Sequence, residues 1–263
     1  MSDSWTLITG ASSGIGFELA KIFAAKNHNL ILTARSKDAL EKLADSLRAD
    51  HKVKVEVVAL DLGQASSPVT LFETCKNKNL HVDILVNNAG FGDNAAFEKS
   101  EWHKQAQMMD LNMKSLTHLC HLFLPAMISA GKGAILNVAS TAAFQPGPYM
   151  AVYYATKSYV LNFSEALNEE LRGTGVYVTT LCPGPTLSGF QQAANMDTAL
   201  LFKLGVPGSR AVAEYAYKSL MAKKVIAVHG FMNKVMAFSV RITPRSLLVR
   251  IVRILQEKRM GAV

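Results

Sequence analysis

Residues 9–16 read TGASSGIG, set between the apolar run WTLI (5–8) and the segment FELAKIFAAKNH (17–28). Three glycines in eight residues, with a strand-like segment before and a helix-like segment after, define either a phosphate-holding loop or a tight turn. The spacing is G-x-x-x-G-x-G rather than the G-x-G-x-x-G of the best-known dinucleotide fingerprint. The surroundings therefore decide the reading.

Those surroundings alternate between apolar runs and helical periods. WTLIT (5–9), NLILTA (29–34), VKVEVVAL (53–60), DILVNN (83–88), GAILNVAS (133–140), VYVTTLC (176–182) and KVIAVHG (224–230) read as strands. Ile15, Leu19 and Phe23 recur at helical spacing after the loop, KDALEKLADSLRA (37–49) has the same character, and 99–130 and 153–172 are long enough for helices. Continuous apolar strands separated by crossover helices predict an α/β fold, a doubly wound parallel sheet of about seven strands with helices on both faces. Ligands of such sheets sit outside the carboxyl ends of the strands.

In that setting the loop is a pyrophosphate site. Gly10 allows a sharp exit from the strand, and Gly14 and Gly16 allow backbone and helix to approach an anion without a Cβ in the way. The helix N-terminus adds unpaired N–H groups and the positive end of its dipole. Ser12, Ser13 and Thr9 add hydroxyl donors.

Bulk properties narrow the class. The chain has 263 residues, 49% hydrophobic and 18% charged, with no repeat or low-complexity tract, consistent with one α/β domain. The predicted strand at residue 5 leaves no room for a leader peptide, and no apolar run reaches the ~18–20 residues of a membrane span. Cys75, Cys120 and Cys182 are odd in number and far apart, which suits free thiols in a reducing compartment. A cytoplasmic protein is the expectation. The net charge of +8 is uneven: residues 231–263 hold seven Lys and Arg against Glu257 alone. A near-neutral body with a basic tail argues against nucleic acid as a partner.

Further motifs follow in order: NNAG (87–90), Asn112, Ser140, YYATK (153–157) and PG (183–184). With TGASSGIG, and at these separations, they resemble the short-chain dehydrogenase/reductase family over most of the chain. The stretches STAAFQPGP (140–148) and YYATKSYV (153–160) are similar to a bacterial branch related to ketoacyl and hydroxysteroid reductases. The resemblance implies a Rossmann-type catalytic domain over 1–230, a nicotinamide cofactor, and a homo-oligomer, dimer or tetramer.

Tyr153 and Lys157 are four residues apart on a predicted helix and share a face. A phenol with a pKa of ~10 is a poor proton shuttle at neutral pH, and a nearby ammonium would lower it. The resemblance implies that Tyr153 is the acid/base, that Ser140 orients and polarises the substrate, and that Lys157 also binds the nicotinamide ribose. It implies that Asn112 holds a water linking Lys157 to a proton relay. Tyr154 points about 100° away around the helix and reads as packing or interface.

The end of the second strand selects the cofactor. An acid there binds the ribose 2′-OH of NAD, yet Ala34 occupies the position and Arg35 follows. A guanidinium suits a 2′-phosphate, so NADP(H) is expected; the bland alternative is an arginine that merely solvates the strand end. By resemblance Asp61 and Leu62 contact the adenine, Asn88, Ala89 and Gly90 pack along the adenosine side, and Pro183 and Gly184 cover the nicotinamide. The hydroxyl that bonds its carboxamide is either Ser188 or Thr186.

Substrate contacts are expected from the loops at 90–97, 141–150 and 187–207, through Phe91, Phe144, Tyr149 and Phe190. Such a lining suits an apolar or lipid-like ketone, reduced to a secondary alcohol or formed in reverse. Two alternatives stand: a 3-oxoacyl-thioester reductase of lipid metabolism, and an NADP(H)-sensing regulatory protein without catalysis. No metal is expected, because His118 and His121 lack a carboxylate or cysteine to complete a set.

Residues 231–263 read as a basic helical extension of the same domain. Phe231, Val235, Phe238 and Ile242 share one helical face, and Thr243-Pro244 reads as an N-cap and first turn. Leu247, Leu248, Ile251, Val252, Ile254 and Leu255 then form an apolar arc opposite Arg250 and Arg253. Such a helix packs on its own domain or a second subunit, or makes peripheral membrane contact through residues 244–259.

Overall fold

The computed structural model describes residues 4–187 and 206–259. Seven strands, β1 (Ser4–Thr9), β2 (Asn29–Ala34), β3 (Val55–Ala59), β4 (His81–Asn87), β5 (Gly133–Val138), β6 (Val176–Cys182) and β7 (Ile226–Val228), form one sheet in the order β3-β2-β1-β4-β5-β6-β7. Every neighbouring pair is parallel. This is the doubly wound, Rossmann-like sheet that the apolar runs predict. The seventh strand is shorter than its predicted run because it sits at the edge and pairs with β6 alone over three residues.

Strand alternation sends neighbouring side chains into two separate cores. On one face Ile8, Leu30, Leu32, Val86 and Leu136 pack against α1 (Gly14–Ala25), α2 (Lys37–His51) and α7 (Ser209–Met221). On the other, Leu7, Ile31, Leu85 and Ile135 meet α3 (Ser67–Asn77), α5 (Leu116–Ser129) and α6 (Ala151–Glu170). Both faces are covered, which is why the strands read as unbroken apolar runs.

The expected long helix over 99–130 is interrupted. It comprises α4 (Trp102–Met109), a π-helical turn (Asp110–Ser115) and α5. A π turn inserts an extra residue into the helical ladder and re-aims side chains, and such turns concentrate at functional sites. Asn112 lies in it and is buried.

At the C-terminus, α8 (Phe231–Ser239) and α9 (Arg245–Arg259) follow the last strand. Of the predicted apolar arc on α9, Leu248 and Val252 are buried against Met150, Tyr153 and Tyr154. Leu247, Ile251, Ile254 and Leu255 remain about half exposed, as do Val235 and Met236, while Phe231 is 79% and Ile242 75% exposed. No helix among the described residues is long and apolar enough to cross a membrane. All three cysteines are free and buried, and burial pushes each thiol up to about 12.

Candidate active site

The carboxyl ends of β1 and β4 are knitted together by Thr9 and Asn88. Thr9 Oγ1 donates to the Val86 carbonyl at 3.2 Å and accepts from the Asn88 and Ala89 amides at 2.9 Å each. Asn88 Nδ2 returns bonds to the carbonyls of Thr9 and Gly10. The Thr9 hydroxyl, expected as an anion donor, is spent inside the scaffold.

Gly10 has φ of +65°, and a Cβ there would come within 2.9 Å of Ala89 Cα. A Cβ on Gly16 would approach Gly10 O and Asn88 Nδ2 to 2.4 Å. Gly16 therefore lets α1 seat against its own loop, which differs from the expected close approach to an anion. The N-cap Ser13 makes no side-chain cap bond. The first N–H groups of α1 have no intrahelical acceptors and are available to an anion.

From this loop a cleft of about 790 Å3 runs along the ends of the strands. Gly10, Ser12, Ser13, Gly14, Ile15, Arg35, Asp61, Leu62, Asn88, Ala89, Gly90 and Phe91 line one part of it. Ser140, Tyr153, Lys157, Pro183, Gly184 and Thr186 line another. Arg35 is exposed at the end of β2, flanked by Ala34 and Ser36. Asp61, at the end of β3, accepts the Gly63 amide at 3.0 Å.

Besides Gly16, three expected residues stand off the wall. Asn112 clamps the Phe91 backbone, accepting its amide at 3.1 Å and donating to its carbonyl at 2.9 Å, and also donates to Thr156 Oγ1 at 3.1 Å. Phe144 packs into the core beside α5 and α6. Tyr149 adopts φ of +65° in a small separate hollow, and its hydroxyl donates to Glu257 at 2.6 Å. Ser188 and Phe190 lie outside the described residues.

The three residues expected to carry the chemistry, Ser140, Tyr153 and Lys157, come from the end of β5 and from α6. Ser140, extended just past β5, accepts the Ala142 amide at 3.1 Å and bonds Tyr153 through its side chain. Tyr153 and Lys157 are both buried on α6. Lys157 Nζ donates to the Val138 carbonyl at 2.8 Å and lies 5.9 Å from the Tyr153 ring centroid. Burial drives the Tyr153 phenol above its ordinary value and outweighs the Ser140 hydrogen bond that favours ionisation. Burial also lowers Lys157 to about 8. The expected depression of the Tyr153 pKa is absent here, because desolvation dominates.

Tyr154 packs, as one of its two readings had it, and also lines the cleft: it is 8% exposed, edge-on to Tyr153, and its hydroxyl accepts from Gln256 of α9 at 2.7 Å. Met236 of α8 and Val252, Leu255 and Gln256 of α9 complete the wall. Among the described residues no cluster of His, Cys, Asp or Glu would hold a metal.

The sequence model for short chain dehydrogenases matches residues 4–199. The human (Homo sapiens) very-long-chain 3-oxoacyl-CoA reductase is 31% identical over 189 residues, 68% of this chain and 58% of that protein. A short-chain dehydrogenase from Sphingobium yanoikuyae, solved in complex with NADPH, superposes with a TM-score of 0.82 at 30% identity, covering 91% of this chain and 94% of that one. The bulky-bulky ketone specific alcohol dehydrogenase of Comamonas testosteroni gives a TM-score of 0.78 at 30% identity, covering 92% and 93%. The chain belongs to the short-chain dehydrogenase/reductase family. It is an oxidoreductase with a nucleotide-binding fold, and its solved relatives include one in complex with NADPH and one in complex with NAD.

Proposed function

We propose that this enzyme is an NADPH-dependent carbonyl reductase that converts apolar, lipid-like ketones into secondary alcohols. The observation that carries the reading is one cleft that joins Arg35, with no acid in its place, to Ser140, Tyr153 and Lys157 beside an apolar wall. The residues fit the cofactor. The open first turn of α1 suits a pyrophosphate, Phe91 and Pro183 to Thr186 border the nicotinamide half, and Arg35 suits the 2′-phosphate.

When bound, NADPH supplies the hydride. Tyr153 donates its proton to the substrate oxygen, and its raised pKa keeps it protonated until that moment. Ser140 holds the same oxygen and then stabilises the phenolate. The Lys157 ammonium adds a positive charge beside it and bonds the ribose. Asn112 is a positioning residue, fixing Phe91 and the π turn against α6. A positioned general acid of this kind contributes ~10²–10⁴-fold.

The bulky-ketone specificity of the Comamonas enzyme favours this reading, and the human reductase favours 3-oxoacyl thioesters as the competing one. A substrate panel of apolar ketones, steroids and acyl thioesters separates them. A non-catalytic sensor would have no use for Ser140, Tyr153 and Lys157 together.

We also propose that residues 231–263 belong to the same folding unit as 1–230, since Leu248 and Val252 pack on Tyr153 and Tyr154. We place the enzyme in the cytoplasm as a dimer or tetramer built through its long helices, where Tyr159 and Phe163 of α6 stack at 5.9 Å. The outer faces of α8 and α9 we assign to an anionic membrane surface. Phe231, Phe238, Ile242 and Ile254 are exposed there, and Lys234, Arg241, Arg245, Arg250 and Arg253 supply the complementary charge. Met236 and Leu255 are both exposed and cleft-lining, so the cleft opens onto that surface.

A further inference from the structure

The cleft changes character along its length. Ser12, Ser13, Arg35 and Asp61 line the end by the glycine loop, whereas Met150, Met236, Val252 and Leu255 make the far wall apolar. Two of these apolar side chains belong to the outer surface as well: Met236 is 45% and Leu255 51% exposed. Around them, α8 presents Phe231, Met232, Val235 and Phe238, yet none of its residues is buried. On α9, Leu247, Ile251, Ile254 and Leu255 recur at i, i+4, i+7 and i+8 and stay exposed beside the buried pair Leu248 and Val252.

Residues 231–256 hold Lys234, Arg241, Arg245, Arg250 and Arg253 and no Asp or Glu. A second copy docked face to face would bring these cations together, while an anionic bilayer takes up both the charges and the apolar side chains. The apolar side chains of that surface continue through Met236 and Leu255 into the ligand wall, so bilayer and cleft are joined by a path without polar interruption at the rim. Such a path matters for a long-tailed ketone. Leaving lipid for water lowers its concentration about fourfold for every methylene.

We infer that Met236 and Leu255 form the entrance through which ketones dissolved in an anionic bilayer reach Tyr153 directly, the carbonyl entering the cleft while the alkyl tail stays in the lipid. The substrate class is then membrane-resident long-chain ketones rather than ketones taken up from water. This inference rests on the ketone reductase reading and on the membrane face of α8 and α9, and adds that this face delivers the substrate.

The test follows NADPH oxidation by the full chain on a long-chain methyl ketone held at the same mole fraction in phosphatidylserine or phosphatidylcholine vesicles. A short soluble methyl ketone is the control. The aqueous concentration of a neutral ketone is the same over both lipids, so uptake from water gives equal rates. Delivery from the bilayer is expected to make the phosphatidylserine rate about tenfold or more higher at low salt, with the soluble ketone unaffected by either lipid. Phe238→Glu with Ile254→Glu is expected to remove that gain and leave kcat/KM for the soluble ketone unchanged, which also shows that the variant folds. Equal rates on both lipids overturn the inference, even where the protein sediments with phosphatidylserine. A gain that survives the paired substitution overturns it, as does equal activation of the soluble ketone. No turnover of any ketone, soluble or embedded, refutes the reductase reading and the inference with it.

Discussion

The ammonium of Lys157 donates to the main-chain carbonyl of Val138 across 2.8 Å, pinning α6 to the end of β5. Burial lowers this lysine to about 8, so its charge is lost in the folded protein above that pH. Reductase kcat/KM is expected to fall above about pH 8, while Lys157→Met is slow throughout and lacks that limb. The same shift makes a stability claim. The folded pKa lies below the unfolded one, so the unfolded chain binds more protons between the two and stability rises with pH across that window. Urea denaturation should show the wild type gaining on the order of 3 kcal/mol relative to Lys157→Met between pH 8 and 10.5. A flat difference would show that the lysine is not strained by burial.

Arg35 should govern cofactor choice. Its replacement by serine is expected to raise the KM for NADPH about tenfold to a hundredfold, the range of a lost charged hydrogen bond, with little change for NADH. Steady-state kinetics with both cofactors measures this. An unchanged NADPH preference would assign Arg35 to solvation of the strand end.

The outer face of α8 and α9 should bind anionic lipid. Sedimentation with phosphatidylserine vesicles is expected to carry the protein down at low salt, less at high salt, and less still for Phe238→Glu with Ile254→Glu. Both side chains are exposed, so the pair should leave folding intact. Absence of lipid binding, together with a mass that the same pair of substitutions lowers in light scattering, would assign the face to a second copy.

The sheet was legible because its strands are buried on both faces and so stand out as apolar runs. The glycine loop, Ser140, Tyr153 and Lys157 were legible because each lies at a strand end or at a fixed helical spacing. What escaped the sequence depends on contacts between distant segments. Tyr154 read as packing or interface; it packs, against α9, and its place on the cleft wall is what the spacing did not show. The two residues joined in the Tyr154–Gln256 bond are 102 positions apart. Gln256 lies just past the apolar arc read on α9, which ended at Leu255, so nothing in the sequence marked it as buried. The π turn at Asn112 arises from a shift in backbone pairing that composition does not encode, and the Thr9 hydroxyl was claimed by β4 rather than by a ligand.

The decisive measurement is NADPH oxidation in the presence of apolar ketones, steroids and acyl thioesters, with wild type, Tyr153→Phe and Tyr154→Phe compared. Reduction of at least one apolar ketone is expected, slowed ~10²–10⁴-fold by Tyr153→Phe and far less by Tyr154→Phe. Saturable NADPH binding with no oxidation on any carbonyl would refute the assignment as a carbonyl reductase. Turnover that survives Tyr153→Phe and is abolished by Tyr154→Phe would refute the role given to Tyr153.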